Sequence, residues 1–291
     1  MGVREAAAPA RLHEPRGDRL LREVEQFEQA LDRQNRRNTT LGRLAFAAAF
    51  LLLWEVASGR VLDQFFVSKP SHIIAALWAM VFKEQLFYHL QFTIIEALAG
   101  YLIGAVAGLA VGFVLARSDA VYRIVEPFVV AFYGIPRIAL APLFILWFGL
   151  GITSKIAVAA IMVFFIVFIN TVAGIRSAPV QLLQVARVMG ASHWDLVRKV
   201  TFPAATPFII AALQITVPQA MVGAIVGEFI SSNRGVGHLI SRAAGWLDTP
   251  GLFAGILTLL VVVLVMNLGI TSLGNYLMRW NPKRSNMRDL Q

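Results

Sequence analysis

Six long apolar stretches, separated by short polar segments, dominate this chain of 291 residues. An α-helix needs about 20 predominantly apolar residues to cross roughly 30 Å of hydrocarbon. Each stretch is long enough to predict one transmembrane helix; they occupy residues 41–58, 91–116, 124–149, 155–175, 206–230 and 252–278. The sequence therefore predicts an all-α, polytopic membrane protein with about six transmembrane helices.

The composition excludes several other classes of protein. Hydrophobic residues make up 57% of the chain and charged residues 15%, whereas a soluble domain is about 45–50% apolar and about 25% charged. A single core cannot bury so much apolar surface, so we expect lipid to cover much of it. The chain has no cysteine, which excludes a disulfide framework, a zinc–thiolate site and an iron–sulfur cluster.

The distribution of Lys and Arg predicts the orientation in the membrane, because cytoplasmic segments carry an excess of these residues. With the N-terminus inside, the inner segments carry 19 of them, and the outer loops, to which we assign Lys155, carry 6. Both termini are therefore expected in the cytoplasm.

The chain is expected to comprise a cytoplasmic tail over residues 1–40, a transmembrane domain over 41–280 and a second cytoplasmic tail over 281–291. In the first tail, apolar residues recur at helical spacing after Asp18, a candidate N-cap, and predict an amphipathic helix: Leu20, Val24, Phe27 and Leu31. Its polar face is mixed in sign. This favours a helix resting on a partner or on the membrane surface over an arm that binds nucleic acid.

A shorter apolar segment, residues 71–81, cannot span the bilayer. Ser71 follows Pro70 and is a candidate cap, and one face of the segment is apolar: Ile73, Ile74, Leu77, Trp78 and Val81. We expect this helix to lie along the outer membrane interface.

Small residues recur along one face of the second span. Glycine occupies every fourth position there: Gly100, Gly104, Gly108 and Gly112. Transmembrane helices associate through such faces, because the missing side chains let two backbones approach closely. The stripe predicts packing against another helix, either in the same chain or in a second subunit.

Prolines interrupt two of the predicted spans. Pro127, Pro136 and Pro142 lie in the third span, and Pro207 and Pro218 lie in the fifth. A proline within a helix removes a backbone hydrogen bond and bends or breaks the helix. Broken helices at membrane depth are tolerated where they are buried in protein or line a cavity. Spans three and five are therefore predicted to form the walls of a pathway.

The chain carries no motif for ATP hydrolysis. A phosphate-binding loop requires the dipeptide Gly-Lys, which does not occur, and neither the His-Glu-x-x-His nor the Gly-x-Ser-x-Gly pattern is present. Glu96, Arg137 and Glu228 are too few ionisable residues for a typical proton relay through the spans. We therefore predict that the chain is not an enzyme, holds no metal or cofactor, and takes its energy from another subunit.

The inner loop over residues 179–203 is predicted to form two short helices around a glycine. Apolar residues make one face of the first helix, which stops at Gly190: Leu182, Leu183, Val185, Ala186 and Met189. Ser192 then caps a second helix, which carries Trp194, Leu196, Val197 and Val200. Such a pair suits docking into a groove of a partner, and lying flat on the inner leaflet is the alternative.

This loop resembles the EAA loop of the permease subunits of binding-protein-dependent ABC transporters. The pattern of that family is Glu-Ala-Ala, three residues, Gly, nine residues and Ile-x-Leu-Pro. Residues at the same spacings here are Gln184, Val185, Ala186, Gly190, Val200, Phe202 and Pro203. Gln184 replaces the acidic residue, so the resemblance carries over the docking helix and not a salt bridge at that position.

Two further segments are similar to the nitrate, sulfonate and taurine group of these permeases. The first is residues 134–149 of the third span, Gly-Ile-Pro-Arg-Ile-Ala-Leu-Ala-Pro-Leu-Phe-Ile-Leu-Trp-Phe-Gly. The second follows the fifth span, Gly-Glu-Phe at 227–229 and then Ser-Ser-Asn-Arg-Gly-Val-Gly at 231–237. The resemblance covers about residues 41–280.

The resemblance implies a permease subunit of an ABC importer in the bacterial inner membrane. Such a subunit works with a second permease, here expected to be a copy of this chain, with two cytoplasmic ATPases and with an external substrate-binding protein. The ATPases would bind the ATP and Mg²⁺. Residues 181–203, with Trp194 among the contact residues, would transmit the closure of the ATPases to the membrane helices.

Five polar side chains inside the spans are candidates for the translocation path: Arg137, Gln214, Thr216, Gln219 and Glu228. Arg137 would attract an anionic substrate, or, as we favour, would pair with Glu96 or Glu228 or with carbonyls freed by Pro136. Glu228 would shape an outer gate or cap local backbone.

The uncharged polar residues of the fifth span allow two interpretations. Gln214, Thr216 and Gln219 would contact passing solute, or they would form interhelical hydrogen bonds of about 0.6 kcal/mol each. Asn170 and Asn267 are expected to form packing hydrogen bonds.

The resemblance points to a small organic or oxo anion as substrate, with a sulfonate or taurine ahead of nitrate, bicarbonate or an aromatic carboxylate. Relatives in the same group are thought to carry pyrimidines and other vitamin precursors, so a neutral pyrimidine is the alternative substrate. Two other classes of function stay open. One is a self-contained channel or secondary carrier, and the other is a membrane scaffold that binds an ATPase without moving solute.

Overall fold

The computed structural model describes residues 16–278, the side chains of residues 16–26, 28–33 and 36 excepted. The predicted second tail, residues 281–291, lies outside the described residues. The chain divides into two compact units, Met1–Asp63 and Gln64–Gln291.

The first unit contains one long helix, α1 (Arg16–Ala57). It runs without interruption from the predicted tail into the predicted first span, so the boundary at residue 40 does not coincide with a break in the helix. Asp18 is the third residue of α1, so its prediction as the N-cap is wrong. The part from Arg37 to Ala57 is long and apolar enough to cross a membrane, and its large side chains are exposed, as a lipid-facing helix requires.

The second unit is built from helices joined by short turns. In chain order these are α2 (Pro70–Phe82), α3 (Leu86–Leu115), α4 (Asp119–Gly134), a 3₁₀ turn (Arg137–Leu140), α5 (Ala141–Phe148), α6 (Ile152–Arg176), α7 (Val180–Val188), α8 (His193–Leu196), a π-helical turn (Val197–Thr201), α9 (Phe202–Ser231), α10 (Val236–Gly245) and α11 (Thr249–Leu277). No strand occurs between residues 16 and 278.

Helices that can cross a membrane coincide with the predicted spans. Among the described residues, five single helices are long and apolar enough to cross a membrane. α4 and the segment Arg137–Phe148 are long enough only when they are taken together as one bent span. The all-α fold with about six spans is therefore confirmed.

The centre of the second unit is the packing of α3 and α9 against α6. A methyl group added at Gly104 would lie 2.3 Å from the carbonyl oxygen of Ala160, and one added at Gly108 would lie 2.7 Å from that of Phe164. Gly100 and Gly112 are equally close to α6. Since no side chain fits between the two backbones, the glycine stripe lets α3 contact α6 directly. On the other side of α6, Gly223 of α9 makes the same kind of approach.

The prolines affect the two predicted pathway spans differently. The third span bends by 84° at the break between Gly134 and Arg137, where Ile135 and Pro136 are extended. The fifth span is one continuous helix through Pro207 and Pro218, so of the two predicted effects, a bend or a break, the break does not occur there. Pro207 and Pro218 both lie inside this helix, and each leaves one backbone carbonyl without its helical hydrogen bond.

Two short helices complete the outer side of the unit. α2 begins at Pro70, with Lys69 as its N-cap and no side-chain cap, so the assignment of Ser71 as the cap is wrong. Its apolar residues divide between two environments, because Ile73 is buried and Trp78 is 68% exposed. α10 was not predicted, although its buried residues follow helical spacing: Val236, Leu239, Ile240 and Ala243.

Candidate functional site

The cytoplasmic loop between α6 and α9 begins with the helix α7, which ends at Gly190. The amide of Gly190 donates to the carbonyl of Arg187, and the amide of Ala191 donates to that of Ala186. This pair of bonds is a Schellman motif, and it requires a left-handed residue after the helix. Gly190 has φ +84°, which glycine adopts without strain.

A capping box then starts the next helix. The Ser192 hydroxyl accepts a hydrogen bond from the amide of Asp195, and the Asp195 carboxylate accepts one from the amide of Ser192. The carboxylate also contacts Lys199 one turn later, at 2.7 Å. α8 is not the separate short helix that we predicted, because it continues through the π-helical turn into α9. The helix that starts after Ser192 is thus continuous with a membrane span.

Several of the predicted coupling residues form an exposed apolar surface on this loop. A groove of about 560 Å³ lies between α7 and the start of α9; it is lined by Pro179, Leu182, Val185, Ala186, Met189, Lys199, Val200, Pro203 and Ala204. Met189 is 82% exposed, and Leu182 and Val185 are more than half exposed. Trp194 and Phe202 are also exposed but do not line the groove, and Leu183 lines another cavity.

Buried charges form a cluster at the outer ends of α3, α6 and α9. The ammonium of Lys155 lies 3.5 Å from Oε1 of Glu96 and donates to the hydroxyl of Ser232 at 2.9 Å. Lys155 is 3% exposed, so its assignment to an outer loop is wrong. Its aliphatic stem packs on Gly227, which keeps the ammonium within reach of both polar groups.

Glu228 holds the start of α10 against α3. Its carboxylate accepts hydrogen bonds from the Thr93 hydroxyl at 2.7 Å and from the Gly237 amide at 2.6 Å. The Thr93 hydroxyl accepts one in turn from the amide of Val236. Glu228 is 1% exposed, and of our two alternatives its contacts match the cap of local backbone.

A cavity of about 660 Å³ lies beside this cluster. Glu96, Lys155 and Arg234 are among the side chains that line it. Oε2 of Glu96 is buried and has no hydrogen-bond partner among the described residues. The cavity therefore places an unsatisfied acceptor next to a buried ammonium.

Arg137 lies at the bend of the third span. Its guanidinium is 4.8 Å from the ring centre of Tyr133, and Nη1 donates to the carbonyl of Met162 at 3.5 Å. The expected ion pair with Glu96 or Glu228 is wrong, because those carboxylates bind other partners. The carbonyl that Arg137 contacts belongs to α6 and was not freed by a proline.

The structure does not bring the five candidate path residues into one wall. The amide of Gln214 donates to the hydroxyl of Thr271 on α11 at 3.3 Å. Thr216 is fully buried, and its hydroxyl donates to carbonyls within α9. Gln219 and Arg137 are both half-buried. Their side chains therefore remain partly accessible to a solute.

The two asparagines behave differently. The Asn170 side chain donates to the carbonyl of Ile166 in its own helix at 2.8 Å. The side-chain oxygen of Asn267 is buried without a hydrogen-bond partner among the described residues, so the expected packing bond is not made by that atom.

Sequence comparison identifies related proteins. A family model described as "Binding-protein-dependent transport system inner membrane component" matches residues 104–280. The formylaminopyrimidine transport permease protein of Halalkalibacterium halodurans is 32% identical over 240 residues, which are 82% of this chain and 95% of that protein. The putative aliphatic sulfonates transport permease protein of Bacillus subtilis is 33% identical over 238 residues, which are 81% of this chain and 86% of that protein.

A solved structure shares the fold. It is a bacterial ABC transporter involved in the import of the acidic polysaccharide alginate. The TM-score is 0.53 at 17% identity, over 89% of this chain and 99% of that chain. The same helical arrangement is thus found in a protein of very different sequence.

Proposed function

Since this chain belongs to the family of binding-protein-dependent transport system inner membrane components, we propose that it forms half of the membrane pathway of an ATP-driven importer for a small anion. The second half would be another copy of the chain. Two cytoplasmic ATPases would bind and hydrolyse ATP with Mg²⁺, and an external binding protein would deliver the substrate.

The exposed apolar surface of the loop between α6 and α9 is the observation that carries this proposal. A water-exposed helix with Met189 82% exposed and Val185 57% exposed gains stability when a partner covers it. The Schellman turn and the capping box give the loop a defined shape, and α8 runs on into α9. When an ATPase groove that holds α7 rotates, the tilt of α9 changes with it.

Arg137 supports an anion as the substrate. No carboxylate among the described residues neutralises its guanidinium, which contacts only a ring and a carbonyl. An unpaired cation inside the membrane attracts anions and repels cations. A sulfonate or taurine comes first, ahead of nitrate, bicarbonate or an aromatic carboxylate, because a relative at 33% identity is named for aliphatic sulfonates.

A neutral pyrimidine is the second candidate substrate, since another relative at 32% identity is named for formylaminopyrimidine. The two candidates differ in charge, so a positive residue in the path affects only one of them strongly. An Arg137→Gln variant should lose transport of a sulfonate and keep transport of a pyrimidine.

The test is ATP hydrolysis by the reconstituted complex with its own binding protein. The panel contains taurine, an alkanesulfonate, nitrate, bicarbonate, an aromatic carboxylate and a neutral aminopyrimidine. Stimulation by a sulfonate supports the proposal. Stimulation by the pyrimidine alone contradicts the anion and leaves the importer assignment in place.

A further inference from the structure

A cavity of about 390 Å³ lies where the cytoplasmic ends of α3 and α6 meet α7. Part of its lining is apolar, including Phe113 and Leu183. Three arginines, one histidine and one carboxylate also line it: Arg117, Arg176, Arg187, His193 and Asp119. The cavity therefore has an apolar part and an excess of positively charged side chains.

Only one of the three arginines is neutralised by a carboxylate. Arg176 pairs with Asp119 and stacks on the ring of Tyr122 at 4.1 Å. Arg117 lies over the Phe113 ring, 5.5 Å from its centre. Among the described residues, neither Arg117 nor Arg187 has an acidic partner within ion-pair distance. Two guanidinium groups thus line one cavity with their hydrogen-bond donors available.

The position of the cavity selects the ligand chemistry. It lies at the last turns of two membrane spans, on the side with the excess of Lys and Arg, where the phosphates of the inner leaflet are found. Basic pockets between transmembrane helices on this side bind phosphorylated headgroups. Guanidinium groups suit this ligand because they form bidentate hydrogen bonds with phosphate oxygens. We propose that this cavity binds the headgroup of an anionic phospholipid, whose phosphate contacts Arg117 and Arg187.

The bound lipid would contact the coupling helix on the face away from the ATPase. Val180, Leu183 and Arg187 line this cavity, at a spacing that puts them on one face of α7. Leu182, Val185 and Met189 line the groove on a different face. The headgroup can therefore stay bound while an ATPase contacts the other face of α7, and it joins the end of α3 to the helix that would transmit the movement.

Native mass spectrometry of the full chain, released from vesicles that contain phosphatidylglycerol and phosphatidylcholine, tests the proposal without any transport measurement. We expect phosphatidylglycerol to be retained in preference. The double variant Arg117→Gln/Arg187→Gln should lower this retention by about 30-fold, the loss expected for two basic residues at about 1 kcal/mol each near an anionic surface. Arg198→Gln is the matched control, because Arg198 is exposed in the π-helical turn of the same loop and does not line the cavity.

Three results would overturn the proposal. One is equal retention of the two lipids, and another is a double variant that retains phosphatidylglycerol as well as the unchanged chain does. The third distinguishes free phosphate from a lipid: inorganic phosphate that displaces phosphatidylglycerol at millimolar concentration would show that the cavity selects the ion and not the headgroup. Because lipid retention requires no ATPase, a failure here is separable from a failure of the importer assignment.

Discussion

The ammonium of Lys155 lies 3.5 Å from a carboxylate oxygen of Glu96, and only 4% and 1% of the two side chains are exposed. The pair joins α3 to α6 near the outer membrane surface, and Ser232 at the end of α9 takes a further hydrogen bond from the same ammonium. Three spans are thus held together by one buried cation.

Removing this cation should destabilise the protein strongly. In Lys155→Met, the Glu96 carboxylate stays buried without its counter-charge, which costs about 3–5 kcal/mol. In the double variant Lys155→Met/Glu96→Gln both charges are gone, so more than half of the lost stability should return. Thermal unfolding in detergent measures both variants. A double variant as unstable as Lys155→Met alone would show that the ion pair is not the cause.

The cap that Glu228 provides for α10 should be measurable on its own. Glu228→Ala removes the acceptors of two buried hydrogen bonds, from Thr93 and Gly237, at about 1–3 kcal/mol for each donor left unpaired. Glu228→Gln keeps the shape and one strong acceptor, so it should lose less. Hydrogen exchange of the α10 amides follows the effect locally. Exchange that is equally slow in Glu228→Ala and in the unchanged chain would contradict the capping role.

The glycine stripe should be intolerant of side chains. In Gly104→Leu/Gly108→Leu, the added atoms meet the backbone oxygens of Ala160 and Phe164, so α3 cannot reach α6 and no folded protein should be recovered. Gly269→Leu is the control, because a methyl group added at that position meets nothing within 4 Å. Size-exclusion chromatography of the detergent extracts separates the outcomes. A monodisperse, active double variant would show that the two backbones do not need to touch.

Much of this fold could be predicted because lipid imposes a simple requirement on sequence. A span must be long and apolar, so the six stretches and the glycine face of α3 are visible in the residues alone. Gly190 and Ser192 are equally local signals, since each acts on backbone within a few residues.

Long-range pairing could not be predicted. Lys155 has the sequence context of a loop cation, and only the fold brings it to Glu96, 59 residues earlier in the chain. For the same reason the sequence does not show that Arg137 contacts the Tyr133 ring and the Met162 carbonyl and not a carboxylate. Pro218 does not break α9, because a helix packed on several neighbours can keep its course after losing one hydrogen bond. The buried residues of α10 follow helical spacing, so this helix was within reach of the sequence.

The turn at Gly190 should be required for coupling and not for insertion. Gly190→Pro fixes φ near −65°, far from the observed +84°, and it removes the amide that bonds to Arg187. Trp194→Asp places a charge on the exposed apolar surface. In both variants the chain should insert normally, while uptake falls at least about tenfold relative to ATP hydrolysis. Arg198→Gln, an exposed change outside the groove, should leave the ratio unchanged; normal uptake by either coupling variant would contradict the docking role.

Transport through this chain should depend on ATP hydrolysis by a partner subunit. The most direct measurement is uptake of radiolabelled taurine or sulfonate into proteoliposomes, with the binding protein outside and ATP trapped inside. We predict uptake only when the ATPase is present and ATP can be hydrolysed, and none when this chain is reconstituted alone under a proton or sodium gradient. Uptake by the chain alone, driven by such a gradient, would contradict the assignment and identify a secondary carrier.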